Sequence, residues 1–376
     1  MSQRGLFYGW VVLAAAATVI AVAMGALFSL GVFLKPIEDT MRWSRSAISL
    51  VALINWFAMG LGSFVWGALS DRIGSRVVAA AGGFVLGLGL VLSSQVATLG
   101  QFYVTFGVLV GFAVGAFYAP LTATATKWFT ASRGVAVGVV SAGIGLGTFL
   151  MAPVSRWLTS LFVWRVAMLL LGDLAWLVVI PLALFIRNAP GDVGAVALGG
   201  RSAPQRDYST AQVLRAPQFW AIALTHFACC AAHSGPIFHM VTHAIEQGVA
   251  GMMAATVFGV SGLSSIAGRI GCGLLADRVG AKRTLVAGLA LQAVMVGSYL
   301  FTREYFGEKV MGTAYGAVFL ISTLGMGLGS FAGGWIHDAL GTYAWLYISS
   351  TAVGVGAMAL AFTFRRPGLL AQGALG

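Results

Sequence analysis

Arg269 is the side chain with the most evident chemistry. It lies in the middle of an apolar run, Gly262-Leu-Ser-Ser-Ile-Ala-Gly-Arg269-Ile-Gly-Cys-Gly-Leu. A guanidinium at the centre of a bilayer-crossing helix costs about 2.5–3.5 kcal/mol on insertion scales, so it should face a wet cavity. Its planar fork matches a carboxylate with two parallel hydrogen bonds. The plainer alternative is a structural arginine bonded to a carbonyl or snorkelling to the membrane surface.

Titratable partners cluster in another apolar run. His226, His233, His239 and His243 are four of the chain's five histidines. His226 and His233 are seven positions apart, hence on one helical face. Imidazole titrates near neutral pH and can pass on a proton. His239 and His243 read as interfacial. Their i, i+4 spacing is a poor zinc signal without further ligands. Asp173 interrupts a third apolar run, Leu169-Leu-Leu-Gly-Asp173-Leu-Ala-Trp. An acid there stays protonated or finds a cation, which makes it a further proton-carrying candidate. Asn55 is a weaker polar candidate, because an intramembrane Asn more often ties helices together. Cys229, Cys230 and Cys272 fall in apolar runs and read as small buried thiols. Neither H-E-x-x-H nor G-x-S-x-G occurs, and no dinucleotide or P-loop pattern follows a strand signal. No enzyme activity, cofactor or metal is expected.

The elements that carry these residues are membrane helices. The chain is 59% hydrophobic and 9% charged, with a mean hydropathy of +0.90. Few soluble folds could hide that much apolar surface. Eleven candidate spans run near 7–33, 47–69, 77–96, 101–125, 135–155, 164–186, 218–240, 252–275, 284–301, 311–333 and 343–364. A polar, Pro- and Gly-rich stretch separates residues 1–187, a six-helix bundle, from residues 218–376, a bundle with five candidate helices. The stretch itself, 188–217, reads as a flexible cytoplasmic linker. The net charge of +11 does not indicate nucleic acid here, since no solvated basic domain carries it. It reflects loop cations instead. Across the first nine spans, Lys and Arg number twelve on the side of the N-terminus and linker against five on the other. The N-terminus is therefore expected in the cytoplasm.

The two halves repeat two landmarks in the same order. Gly67-Ala-Leu-Ser-Asp71-Arg72-Ile-Gly74 is matched by Gly273-Leu-Leu-Ala-Asp277-Arg278-Val-Gly280. Gly143-Ile-Gly145-Leu-Gly147-Thr-Phe149 is matched by Gly325-Met-Gly327-Leu-Gly329-Ser-Phe331. Such duplication is common in secondary transporters. The first pair is 206 residues apart (71 to 277), the second 182 (143 to 325). The second half is thus 24 residues shorter between its landmarks (206 − 182), about one crossing at ~1.5 Å per residue. The tenth of twelve expected spans is missing near 301–305. By parity, Arg365 and Arg366 would then end outside, unless the last two helices keep their places through a strained connection.

These landmarks resemble the major facilitator superfamily. The nearer likeness is to its monocarboxylate transporter and oxalate/formate antiporter branch, through three further features. They are Tyr8-Gly9-Trp10 at the start of the first span, Trp128-Phe129 before Arg133-Gly134-x-Ala136-x-Gly138, and Arg269 eight residues before Asp277. The resemblance implies an all-α integral membrane protein of two pseudo-symmetric helical bundles, with about 11 helices instead of 12. It also implies an alternating-access carrier. Arg269 would hold a small organic anion, and Asp71, Arg72, Asp277 and Arg278 would form a conformational latch. In the resembled fold the fourth span lines the cavity, which adds Tyr118 as a substrate contact, whereas the sixth span, with Asp173, braces the outside. Animal monocarboxylate carriers have a lysine where Phe28 stands and an acid where Ser265 stands. Oxalate antiporters have a lysine where Ser322 stands. With one fixed cation, a monoanion suits the site better than a dianion. The expected protein is a monomer in the cell's inner (plasma) membrane, with His233, His226 or Asp173 as the proton-coupling residue. A non-transporting sensor, a defective product and a drug exporter of the same superfamily stay open.

Overall fold

The computed structural model describes residues 7–194, 210–280, 284 and 311–362. Among these the chain is helical, and eight helices are long and apolar enough to cross a membrane. They are α1 Tyr8–Met41, α2 Arg45–Ile73, α3 Ser75–Ser94, α4 Leu99–Trp128, α5 Arg133–Leu161, α6 Trp164–Phe185, α7 Pro217–Glu246 and α8 Gly251–Val279. Two more follow, α9 Met311–Leu340 and α10 Ala344–Phe362. The ninth candidate span of the sequence, 284–301, lies outside the described residues save Thr284.

Helix boundaries follow local chemistry. Ser44 caps α2 by accepting a bond from the Ala47 amide at 3.3 Å. Thr98 and Gln101 form a reciprocal capping box at the start of α4. Pro217 opens α7, where its missing amide proton is no loss. Gly74 and Gly280 end α2 and α8 with φ of 87° and 88°, a conformation that penalises any side chain. Although Pro236 lies inside it, α7 is helical from Pro217 to Glu246. The irregular helix is α4. It widens to a π-helix over Tyr103–Val110 and turns at 115–117 before resuming at Tyr118. The presumed flexible linker is anchored at its start. Asn188 accepts a bond from the Ser75 amide at 2.8 Å, and a short helix, Thr210–Arg215, precedes α7.

The glycine ladders set the packing. A Cβ on Gly143 or Gly147 would lie 2.3 or 2.2 Å from the carbonyl oxygens of Ala17 and Ala21, so α5 and α1 touch backbone to backbone and run parallel. Gly325 and Gly329 meet the carbonyls of Phe227 and Ala231 in the same register, so α9 runs parallel to α7. Across the halves, Gly145 of α5 meets Gly262 of α8, and Gly327 of α9 meets Leu53 of α2. The pseudo-symmetry expected from the landmarks is therefore present in the contacts. It also settles how the last helices sit. The chain leaves α8 and enters α9 at the same end of the bundle, and α10 returns to that end antiparallel to α7, with Leu346 beside Gly235 and Gly354 beside Ala232. Of the arrangements that the sequence left open, this is the one in which α9 and α10 hold the places that α5 and α6 hold in the first half. Below, the end where α1 begins is the near end and the opposite one the far end.

Candidate functional site

A cavity of about 410 Å³ lies between the two halves. The second half supplies Arg269, His226, His233, Ser265 and Ser322; the first supplies Met24, Phe28, Trp56, Ile144 and Thr148. Arg269 is half-buried on α8, and its Nε donates to Ser265 Oγ one turn earlier at 2.9 Å. The backbone there is pinned from behind, because Gly138 of α5 lies against the Arg269 carbonyl. Among the described lining residues there is no Asp or Glu, and Arg269 alone carries a permanent charge. A guanidinium among low-dielectric walls pulls on an anion more strongly than one in open water.

His233 accompanies Arg269. Its Nδ1 lies 2.6 Å from the Cys229 carbonyl oxygen, so Nδ1 must be the donor and Nε2 is the atom that can take up a proton. His226 is buried on the same face of α7 and lines the same cavity.

The other sequence candidates are distributed elsewhere. Phe28 lines the cavity and packs edge-on against Trp56, with ring centroids 5.9 Å apart. Tyr118 is buried, its hydroxyl 2.8 Å from Ser141 Oγ, and is absent from the described lining. Asn55 donates from Nδ2 to the Phe106 carbonyl at 2.7 Å, tying α2 to the wide turn of α4. It faces a separate void of about 10 Å³ shared with Ser234. Asp173 is half-buried on α6, which packs on α3 and α1 rather than at the cavity. No group of three metal-ligating side chains occurs among the described residues.

Of the four residues expected to form a latch, Asp277 joins the two halves at the near end. The Asp277 carboxylate accepts bonds from the amides of Gly134 at 2.8 Å and Val135 at 3.0 Å, the first turn of α5 in the other half. A negative charge there also meets the positive end of the helix dipole. Arg278, Asp71 and Arg72 lie exposed on the last turns of α8 and α2.

The far end holds a polar cluster that the sequence did not suggest. Arg45, almost fully buried, donates Nε and Nη2 to the two oxygens of Glu38 at 3.0 and 3.2 Å. Its Nη1 pairs with Glu246 of α7 and lies 3.1 Å from His337 Nε2. Tyr343, between α9 and α10, lies 3.4 Å from Arg45 Nη1 and donates to His239 Nδ1 at 3.2 Å, while His239 Nε2 donates to the Ser330 carbonyl at 2.9 Å. His239 is thus buried within protein, not interfacial as its position suggested. Burial pushes the Tyr343 phenol up to about 12, against the opposing pull of the Arg45 guanidinium. Apart from Glu38, seven residues earlier, the partners of Arg45 lie about 200 and 300 residues further along the chain, beyond the reach of any local pattern.

Comparison with known proteins agrees with this architecture. The family model described as Major Facilitator Superfamily matches residues 13–303. Monocarboxylate transporter 11 of Mus musculus is 32% identical over 338 residues, covering 86% of this chain and 72% of that protein. Monocarboxylate transporter 13 of Bos taurus is 29% identical, covering 82% and 71%. YhjX of Escherichia coli, described as an MFS-type transporter, is 24% identical, covering 82% of each. Among solved structures, a bacterial homologue of the human lysosomal transporter Spinster, inward-facing and occupied, superposes with a TM-score of 0.64. It covers 95% of this chain and 97% of that one at 16% identity, which speaks to the fold alone.

Proposed function

The chain belongs to the Major Facilitator Superfamily, and from that premise we propose that it is an alternating-access carrier of a small organic monoanion. Two bundles, residues 1–187 and 218–376, rock about the central cavity. The carrying observation is Arg269, half-buried in mid-helix on α8 and lining a cavity of about 410 Å³ to which both halves contribute. The guanidinium grips the substrate carboxylate, and His233 Nε2 takes up the proton that offsets the anion's charge during the crossing. The near end faces the cytoplasm of a cell's inner membrane, in keeping with the excess of Lys and Arg there. The carrier acts as a monomer.

Uptake of labelled pyruvate into proteoliposomes tests this reading. Arg269→Gln is expected to abolish uptake, and Arg269→Lys to restore little of it, since an ammonium cannot form the two-pronged contact. Normal uptake by Arg269→Gln would remove the site. Uptake by the unaltered chain should rise as external pH falls, and His233→Gln should flatten that dependence. A second reading, ligand sensing without flux, rests on the 24-residue deficit between the landmarks (206 − 182). It predicts saturable binding of pyruvate with no accumulation.

A further inference from the structure

The cavity divides its chemistry between the two halves. The cationic and titratable side chains, Arg269, His226 and His233, stand on α7 and α8. The first half offers Met24, Phe28, Trp56 and Ile144, with one polar residue, Thr148, whose hydroxyl is already bonded to the Ile144 carbonyl at 3.1 Å. We propose that the substrate is an amphipathic monocarboxylate with an aromatic or similarly bulky apolar tail: the carboxylate on Arg269, the tail on Phe28 and Trp56 of the opposite half. This rests on the reading of Arg269 as the anion site and narrows its substrate class.

Three observations carry the proposal. The first is size. A cavity of about 410 Å³ falls in the range of roughly 300–1,000 Å³ that encloses drug-sized ligands. It is roomy enough for many waters. A three-carbon acid leaves most of that space wet; an aryl tail displaces more of that water. The second is surface. The Phe28–Trp56 edge-to-face pair presents a ring face and a ring edge together, an arrangement that receives another aromatic ring, and Met24 and Met326 adapt around it. The third is mechanical. A ligand shifts a two-state equilibrium only through contacts that differ between the states. A short acid on Arg269 touches α7 and α8 alone and has little grip on the other half. A tail seated on α1 and α2 links the halves, so closure around it adds contacts that neither open state has.

The test is a substrate series on the full chain in proteoliposomes, comparing acetate, lactate, phenylpyruvate and indole-3-acetate as labelled substrates and as competitors. The aromatic acids are expected to be taken up with a half-saturating concentration at least about tenfold below that of lactate. Phe28→Ala and Trp56→Ala should remove most of that advantage, lowering the ratio of phenylpyruvate to lactate uptake at least about fivefold. Phe28→Leu, which keeps the cavity filled and does not depend on tolerance of a void, should lose the aromatic preference in part. Equal or weaker handling of the aromatic acids by the unaltered chain would overturn the proposal, and so would variants that depress lactate and phenylpyruvate alike. Failure of the underlying anion reading looks different: no carboxylate of any size is taken up, or Arg269→Gln leaves the whole series unchanged.

Discussion

Asp277 caps a helix that belongs to the other half of the chain: its Oδ1 accepts the Gly134 amide at 2.8 Å, with Oδ2 on Val135 at 3.0 Å. The contact joins α8 to α5 at the near end. Asn at this position keeps one acceptor and loses the charge, which weakens a capping interaction of about 0.5–2 kcal/mol. Asp277→Asn should therefore shift the carrier toward opening at the near end. In a background with Cys229 and Cys230 changed to Ser, maleimide labelling of Cys272, buried on α8, should quicken several-fold. Unchanged labelling would show that the cap does not hold this end closed.

Arg45 and Glu246 close the far end across the halves. Arg45 is almost fully buried, while its carboxylate partners Glu38 and Glu246 are each about one-quarter exposed. Removing the cation leaves two neighbouring carboxylates without their counter-charge. Breaking a fully buried pair costs about 3–5 kcal/mol, and solvent access here lowers that to about 1–3 kcal/mol. Arg45→Gln should lower the thermal midpoint in detergent more than Glu246→Gln, since Arg45 still has Glu38 in the latter variant. A double-mutant cycle should show coupling between the two sites, and strictly additive effects would argue against the pair.

Tyr343 gives the far end an alkaline limit. Its phenol is pushed up to about 12 from an ordinary value of 10.0. A proton held more tightly in the folded state than in the unfolded one stabilises the fold fully below about pH 10 and ceases to do so as pH rises through about 12. Thermal stability should thus fall over that window. Tyr343→Phe should remove the corresponding late phenolate absorbance and lower stability at neutral pH by about 1 kcal/mol, because His239 Nδ1 loses its donor. A phenolate titration lacking any late component would contradict this.

Two glycines of the first half should respond oppositely to the same change. A Cβ on Gly147 would sit 2.2 Å from the Ala21 carbonyl oxygen, a backbone atom that cannot step aside. Gly147→Ala should cost about 1–3 kcal/mol or more, through forced separation of α5 and α1. On exposed Gly100, at the start of α4, a Cβ has no described atom within 4 Å. Gly100→Ala should be neutral or stabilising by up to ~1 kcal/mol. Thermal midpoints of the two purified variants decide it, and similar losses for both would refute the backbone-contact account.

The membrane-helical class and the duplicated plan were legible because they depend on hydrophobic length and repeated landmarks, which are local. The Arg269 cavity was legible in part: a charged residue amid apolar ones advertises a wet neighbour, and seven-residue spacing put His226 and His233 on one face. Tyr118 and Asn55 show the limit. Both are polar groups inside spans, yet each bonds to a neighbouring helix, Ser141 for one and the Phe106 carbonyl for the other. Composition cannot tell a cavity face from a helix–helix seam. Nor could spacing show that the two short signatures touch: Phe7 and Tyr8 pack on Trp128, and Trp10 packs on Phe129 at 4.9 Å, forming one aromatic knot at the near end. The Arg45 cluster was invisible for the same reason, since its members come from α1, α2, α7 and α9 and from the turn before α10.

The return of α10 to the near end has a practical corollary. Tyr8 and Phe362 leave the lipid on one and the same side, so a peptide joining them need not thread the bilayer. A ring-closed chain, reopened at the turn between α3 and α4 or between α6 and α7, keeps every helix in its slot.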